Sequence, residues 1–273
     1  MRGDQITLVL CYPQAENKSV GKCEMRGIAM GIWEDGMIGA LAGAVSSGDF
    51  AVSSLTAVLE SICRLGGIDQ IRFPEQEPLT WILSVCLYEY MAEKRGLQTE
   101  EDSFRCIHAA AGLDEASSRH EERALRQAMA CGLYFCMIRA VIDGRGDLTE
   151  RLQDGLDRGF EYYEQDLESA VETAEFANFR NLYALRDMPD PAMAAASPIT
   201  SAVGALITTT TLPQALRKAA AFARRTGIST SCLSVAGGLA GLYYGCADIP
   251  EEWLQNVPRQ RIRALCARAE RLL

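Results

Sequence analysis

The sequence predicts an all-α fold built as a single multi-helix domain. Apolar residues recur every three to four positions through most of the chain, as in Leu55, Val58, Leu59 and Ile62, the spacing that gives a helix one buried face. The alternation of a half-buried strand is confined to residues 6–10. Starts and stops of helical type punctuate the rest, with Ser197-Pro198 and Leu212-Pro213 opening segments and Gly66-Gly67 and Gly96 closing them. At a mean helix length of roughly 11–12 residues, 273 residues accommodate about ten to a dozen helices.

Residues 1–24 form a poorly patterned N-terminal segment, in which a short strand over residues 7–11 ends at Tyr12-Pro13, and the helical domain occupies 25–273. From Met25, Gly27, Gly31, Gly39 and Gly43 recur at helical spacing, interrupted by Glu34-Asp35-Gly36. This reads as two close-packed helices joined by a glycine turn. Residues 51–65 form an amphipathic helix, Pro74 to Pro78 a linker, and Trp81 to Lys94 a further helix. Thr99-Glu100-Glu101-Asp102 has the form of a capping box. Ala116 to Ile142 is a long helix whose charged first half gives way to an apolar second half. Asp147 is placed to cap the charged helical stretch 148–187, which Gly159 is expected to break, and Pro189 and Pro191 mark a loop. The last helix runs from Arg259 to Leu272. There is no internal repeat of 20–50 residues.

The bulk composition narrows the partners. Hydrophobic residues make up 48 % and charged residues 23 %, as in ordinary globular domains. The net charge of −9 argues against nucleic acid and anionic lipid as partners. No run of 18 apolar residues occurs, so no membrane span is expected. Ten cysteines, without a C-x-x-C pair and mostly set in apolar runs, read as buried thiols of a reducing cytoplasm. His108 and His120 are the only histidines, too few for a Cys/His zinc site.

One stretch, Thr226 to Leu254, organises the reading. A hydroxyl-rich turn, Gly227-Ile228-Ser229-Thr230-Ser231, precedes a helix in which Gly237, Gly241 and Gly245 share one face. Each glycine in a helix interior costs roughly 1 kcal/mol relative to Ala, so three in register mean that another helix backbone or a ligand lies close against that face. The turn falls at the helix N-terminus, where backbone N–H groups and the positive end of the dipole are found. Ser229, Thr230 and Ser231 fit two roles there, as caps of the helix or as contacts to a ligand. Arg224 and Arg225 form a basic pair just before it.

The same stretch resembles the ADP-ribosylglycohydrolase family, which includes the dinitrogenase-reductase-activating glycohydrolases. Ala236-Gly237, Ala240-Gly241, Tyr243-Tyr244-Gly245 and Ile249-Pro250-Glu251-Glu252-Trp253-Leu254 match the family's A-G-x-x-A-G-x-Y-Y-G helix and I-P-E-E-W-L start at unchanged spacing. Ser197 to Ala223 resembles the family's two preceding helices, Ser118-Arg119-His120 its mid-chain T-H region, and Gly27 to Gly39 its opening glycine pattern. The resemblance implies an orthogonal all-α ADP-ribosylglycohydrolase-like domain with a cleft for ADP-ribose. It also implies two Mg²⁺ or Mn²⁺ ions, held mainly by carboxylates of an early T-D-D-T motif and a late G-G-D-T-D-T turn.

This chain departs from that pattern at the ligands. In the late turn the two aspartates align with Ile228 and Thr230, and their threonines with Ser229 and Ser231. No acidic residue lies between Asp190 and Asp248. The early motif meets either Asp49-Phe50-Ala51-Val52 or Ala51-Val52-Ser53-Ser54, and the opening G-D is reversed to Asp35-Gly36. Hydroxyls carry no charge to offset dehydration of a divalent ion. No metal ligands or cofactor are therefore expected. Asp35 and Asp49 are the candidate catalytic residues, and Ser53, Ser54, Gly227, Ser229, Thr230 and Ser231 the candidate ligand-binding residues. Three functions follow: a catalytically impaired protein that binds ADP-ribose or an ADP-ribosylated protein, an active hydrolase with atypical metal ligands, and a scaffold without a ligand.

Overall fold

The computed structural model describes residues 20–45, 49–68, 71–74, 77–113, 122–166, 182–183 and 197–273. The short strand over 7–11, His120 and the Pro189–Pro191 loop lie outside them. Among the described residues there are eleven α-helices and no strand: α1 (Val20–Val45), α2 (Asp49–Leu65), α3 (Leu83–Lys94), α4 (Glu100–Ala110), α5 (Glu122–Asp143), α6 (Leu148–Asp166), α7 (Pro198–Leu206), α8 (Leu212–Thr226), α9 (Ser231–Tyr244), α10 (Glu251–Leu254) and α11 (Arg259–Leu272). A 3₁₀ turn, Pro78–Thr80, precedes α3.

Helices α1 and α9 form the antiparallel centre of the fold. Gly43 faces Leu233 and Ser234, Gly39 faces Gly237, and Asp35 and Gly36 face Gly241 and Leu242. The glycines on both helices bring the two backbones together, so the stripe on α9 meets a helix. This also explains a difference from the sequence reading. The chain does not turn at Glu34-Asp35-Gly36; α1 is one continuous helix. Contact with α9 offsets the low helix propensity of its glycines, a case of packing overriding local preference. Gly159 likewise does not break α6, because it lies against the Leu133 and Cys136 side chains of α5.

Side-chain caps fix the starts of α4, α6, α7 and α8. Thr99 and Asp102 form a reciprocal capping box at α4, Ser197 and Thr200 another at α7, and Asp147 and Glu150 exchange bonds of 2.9 and 2.8 Å at α6. Thr211 caps α8, which ends at Gly227 with φ +69°, a left-handed conformation that glycine adopts without strain. The helix expected from Trp81 begins at Leu83, after the 3₁₀ turn.

One core runs through the molecule, from Trp33 and Leu41 of α1 to Ile262 and Cys266 of α11. Helix α5 lies within it, with Tyr134, Phe135, Met137 and Ile138 fully buried. Its stretch Ala124–Asp143 is long and apolar enough, by length and composition, to cross a membrane, but most of it is buried inside the fold. Eight cysteines among the described residues are free thiols, six of them buried. Trp253 is partly buried at the edge of the core, with the Arg217 guanidinium 5.3 Å from its ring centre.

Candidate functional site

The turn before α9 is held by its own hydroxyls. The Ser231 N–H donates to Ser229 Oγ at 3.3 Å, and the Cys232 and Leu233 N–H groups donate to the carbonyls of Ser229 and Thr230 at 3.4 and 2.9 Å. Thr230 occupies the N-cap position without a side-chain capping bond. Ser229 therefore supplies the cap that the sequence left open among three hydroxyls. The Ile228 N–H donates to Thr226 Oγ1 at 3.4 Å.

A carboxylate reaches this turn from elsewhere. Ser229 Oγ donates to Glu77, 152 residues away in sequence. Glu77 lies immediately before the 3₁₀ turn and lines a small pocket of about 80 Å³. Arg126, Ala130 and Cys131 of α5 and Ser197 and Ile199 at the start of α7 line its other walls. The charge of Glu77 is felt at the pocket wall and at the helix start. Burial pushes the Cys131 thiol well up, with Glu77 adding to the shift, and burial together with Glu77 pushes Cys232 up to about 12. Both thiols stay protonated and unreactive at neutral pH.

The candidate residues do not all gather here. Gly227, Ser229, Thr230 and Ser231 form the turn. Ser53 is exposed and Ser54 buried on α2, each engaged in interactions of its own. Asp49 opens α2, with its side chain outside the described part. Asp35 lies at the opposite end of the α1–α9 pair, beside Gly245. Its backbone carbonyl accepts the Cys246 thiol at 2.9 Å. From Ser231 to Gly245 is about 21 Å along a helix axis, so Asp35 cannot act with the turn. Burial raises the Asp35 pKa, and hydrogen bonding from Cys246 opposes the rise.

This donor set does not fit two divalent cations. Such a pair requires several anionic oxygens at close range. The turn presents an isoleucine side chain, three hydroxyls, and one carboxylate already accepting from Ser229. Among the described residues, no group of three or more His, Cys, Asp or Glu side chains could hold a metal ion.

A family model for ADP-ribosylglycohydrolase matches residues 102–273. The chain belongs to the ADP-ribosylglycohydrolase family. The match extends from within α4 to the end of α11 and includes the turn and the glycine helix. Helices α1 to α3 precede it, and α1 supplies the backbone against which the family's glycine stripe packs. Comparison with curated proteins returns no match.

Two side chains beside this turn are not legible in the sequence. Glu77 lies in a segment that reads only as a proline-bounded linker, and no spacing connects it to Ser229. Arg126 falls in the charged half of a helix, where cations usually face solvent. The available signal was the turn itself. A helix N-terminus lined with hydroxyls and lacking an acid favours an anion from another part of the chain.

Proposed function

We propose that this member of the ADP-ribosylglycohydrolase family binds an ADP-ribose-like ligand, free or attached to a protein, at the start of α9 and does not hydrolyse it by two-metal chemistry. The supporting observation is the composition of the turn. Ile228 and Thr230 stand where the resemblance calls for aspartates, and the carboxylate that reaches the turn, Glu77, comes from another segment and is hydrogen-bonded to Ser229. The pocket beside Glu77 supplies an adjoining concave surface. The net charge of −9 favours a small ligand or a protein over nucleic acid. The free thiols are in keeping with a reducing compartment such as the cytoplasm.

Calorimetric titration with ADP-ribose, in EDTA and then in Mg²⁺, tests this reading. Saturable binding of similar affinity in both, without release of ADP-ribose from an ADP-ribosylated protein, is the expected result. A second reading draws on Glu77, whose carboxylate gives the turn one anionic oxygen donor: an active hydrolase with an unusual ligand set. Binding and release that both require Mg²⁺ would establish it in place of the first. Absence of binding under either condition would leave a scaffold role and sink both.

A further inference from the structure

We infer that the start of α9 has changed from a cation site into an oxyanion seat, and that a phosphoryl group takes it by displacing the Glu77 carboxylate. In an ADP-ribose-like ligand this group is the diphosphate, so the inference rests on the metal-free binding reading above.

Helix α9 is 14 residues long, and its N-terminus carries the positive end of the dipole. Two aspartates there would invert that potential and attract cations. With Ile228 and Thr230 in their place nothing in the turn inverts it, and between Asp190 and Asp248 the only charged side chains are Arg217, Lys218, Arg224 and Arg225. Arg126 adds a guanidinium at the adjoining pocket. This stretch is locally basic in a chain whose net charge is −9.

Two further observations concern donors. Ser231, in the first turn of α9, is 3 % exposed, and its hydroxyl has no hydrogen-bond partner. Buried hydroxyls in native proteins nearly always have one, so the first residue of the helix holds an unsatisfied hydroxyl next to the turn. The second is Glu77. Ser229 Oγ accepts from the Ser231 N–H and donates to the Glu77 carboxylate, a chain that carries the positive helix end out to an anion. The Cys232 and Leu233 amides are occupied by local carbonyls. The seat is therefore made of hydroxyls rather than of an amide nest, and a tetrahedral oxyanion could bridge Ser229 and Ser231 once Glu77 moves aside.

The test titrates sodium pyrophosphate into the full chain in EDTA at fixed ionic strength, alone and against ADP-ribose. Saturable pyrophosphate binding that competes with ADP-ribose is expected. Glu77→Gln, which removes a like charge a few ångströms from the seat, should tighten pyrophosphate about fivefold. Ser229→Ala, on the exposed turn, should weaken it about tenfold. No saturable binding, a strict Mg²⁺ requirement, or an affinity that Glu77→Gln leaves unchanged or weakens overturns the inference. ADP-ribose that binds without metal while pyrophosphate fails to compete overturns the seat alone. Failure of ADP-ribose to bind while pyrophosphate behaves as expected overturns the functional reading and leaves the seat standing.

Discussion

Gly39 of α1 and Gly237 of α9 face each other so closely that a Cβ added to either would overlap the carbonyl oxygen of the other. The contact is reciprocal and lies between backbones, so no side-chain rotation can relieve an added methyl. Gly241 repeats the arrangement one turn along, against the Asp35 carbonyl. Gly241→Leu should therefore force the central helix pair apart. The expected cost is about 3 kcal/mol or more, roughly 6–12 °C in Tm at this chain length. Gly31 is the control. It lies within α1 with nothing within 4 Å of an added Cβ, so Gly31→Ala should stabilise by about 0.5–1 kcal/mol. Thermal unfolding of the two variants checks both signs, and an unchanged Tm for Gly241→Leu would refute the packing account.

These contacts show what the sequence could and could not disclose. Helices α7 and α8 begin where Ser197-Pro198 and Leu212-Pro213 place them, because capping is local chemistry written in adjacent residues. The glycine stripe was legible as a demand for close approach, but its partner was not. By propensity alone the glycines of α1 mark an interruption, while the α9 backbone that holds the helix straight lies some 200 residues away. The site divides in the same way. The hydroxyl turn is visible at 227–231, whereas Glu77 joins it through a tertiary contact that no local spacing announces. Asp35, which shares a motif with the glycines, faces the far end of α9 because a helix advances about 1.5 Å per residue.

Stability should fall in mild acid through His108. Its Nε2 lies 2.8 Å from the Tyr163 hydroxyl, and burial pushes its pKa from 6.5 down to about 4. Between those values the unfolded chain binds a proton that the folded chain does not. Stability from this group is thus complete above pH 6.5 and is lost as the pH falls to about 4. The total is about 3 kcal/mol in order of magnitude. Urea unfolding of wild type and His108→Gln from pH 7 to 4 isolates the contribution as the difference between two slopes. Parallel pH profiles would show that His108 is not the group responsible.

Arg139 closes a charge network at the α3–α4–α5 junction. Its side chain is 8 % exposed and binds Glu93 and Glu100 at 2.7 and 2.6 Å, and Arg158 holds Glu100 from α6 at 2.7 Å. Burial raises the Glu93 pKa, with Arg139 opposing the rise. At Glu100 burial also pushes upward, but Arg158 and Arg139 outweigh it and the pKa falls. Arg139→Met leaves Glu93 without its cation and should cost about 3–5 kcal/mol. Adding Glu93→Gln should recover part of that loss, since a neutral amide has less hydration to forfeit. Chemical denaturation of the single and double variants forms the cycle. Strictly additive losses would mean that the two side chains do not interact.

The turn before α9 leads to a prediction about metal content. Two divalent ions bring four positive charges and must shed tightly held water, which protein sites offset with several carboxylates. Ile228 has no donor atom, Thr230 is neutral, and Glu77 is one carboxylate already accepting from Ser229. Chain purified without chelator should therefore carry no stoichiometric Mg²⁺ or Mn²⁺, and neither ion at millimolar concentration should raise its Tm. Ile228→Asp combined with Thr230→Asp returns two anionic ligands to the positive end of α9. This variant should bind Mn²⁺ at least about tenfold more tightly than the unmodified chain, because ligand charge sets affinity for hard cations. Elemental analysis and Mn²⁺ titration decide the matter: about two metals per unmodified chain would mean that the ligands come from side chains other than those of the turn.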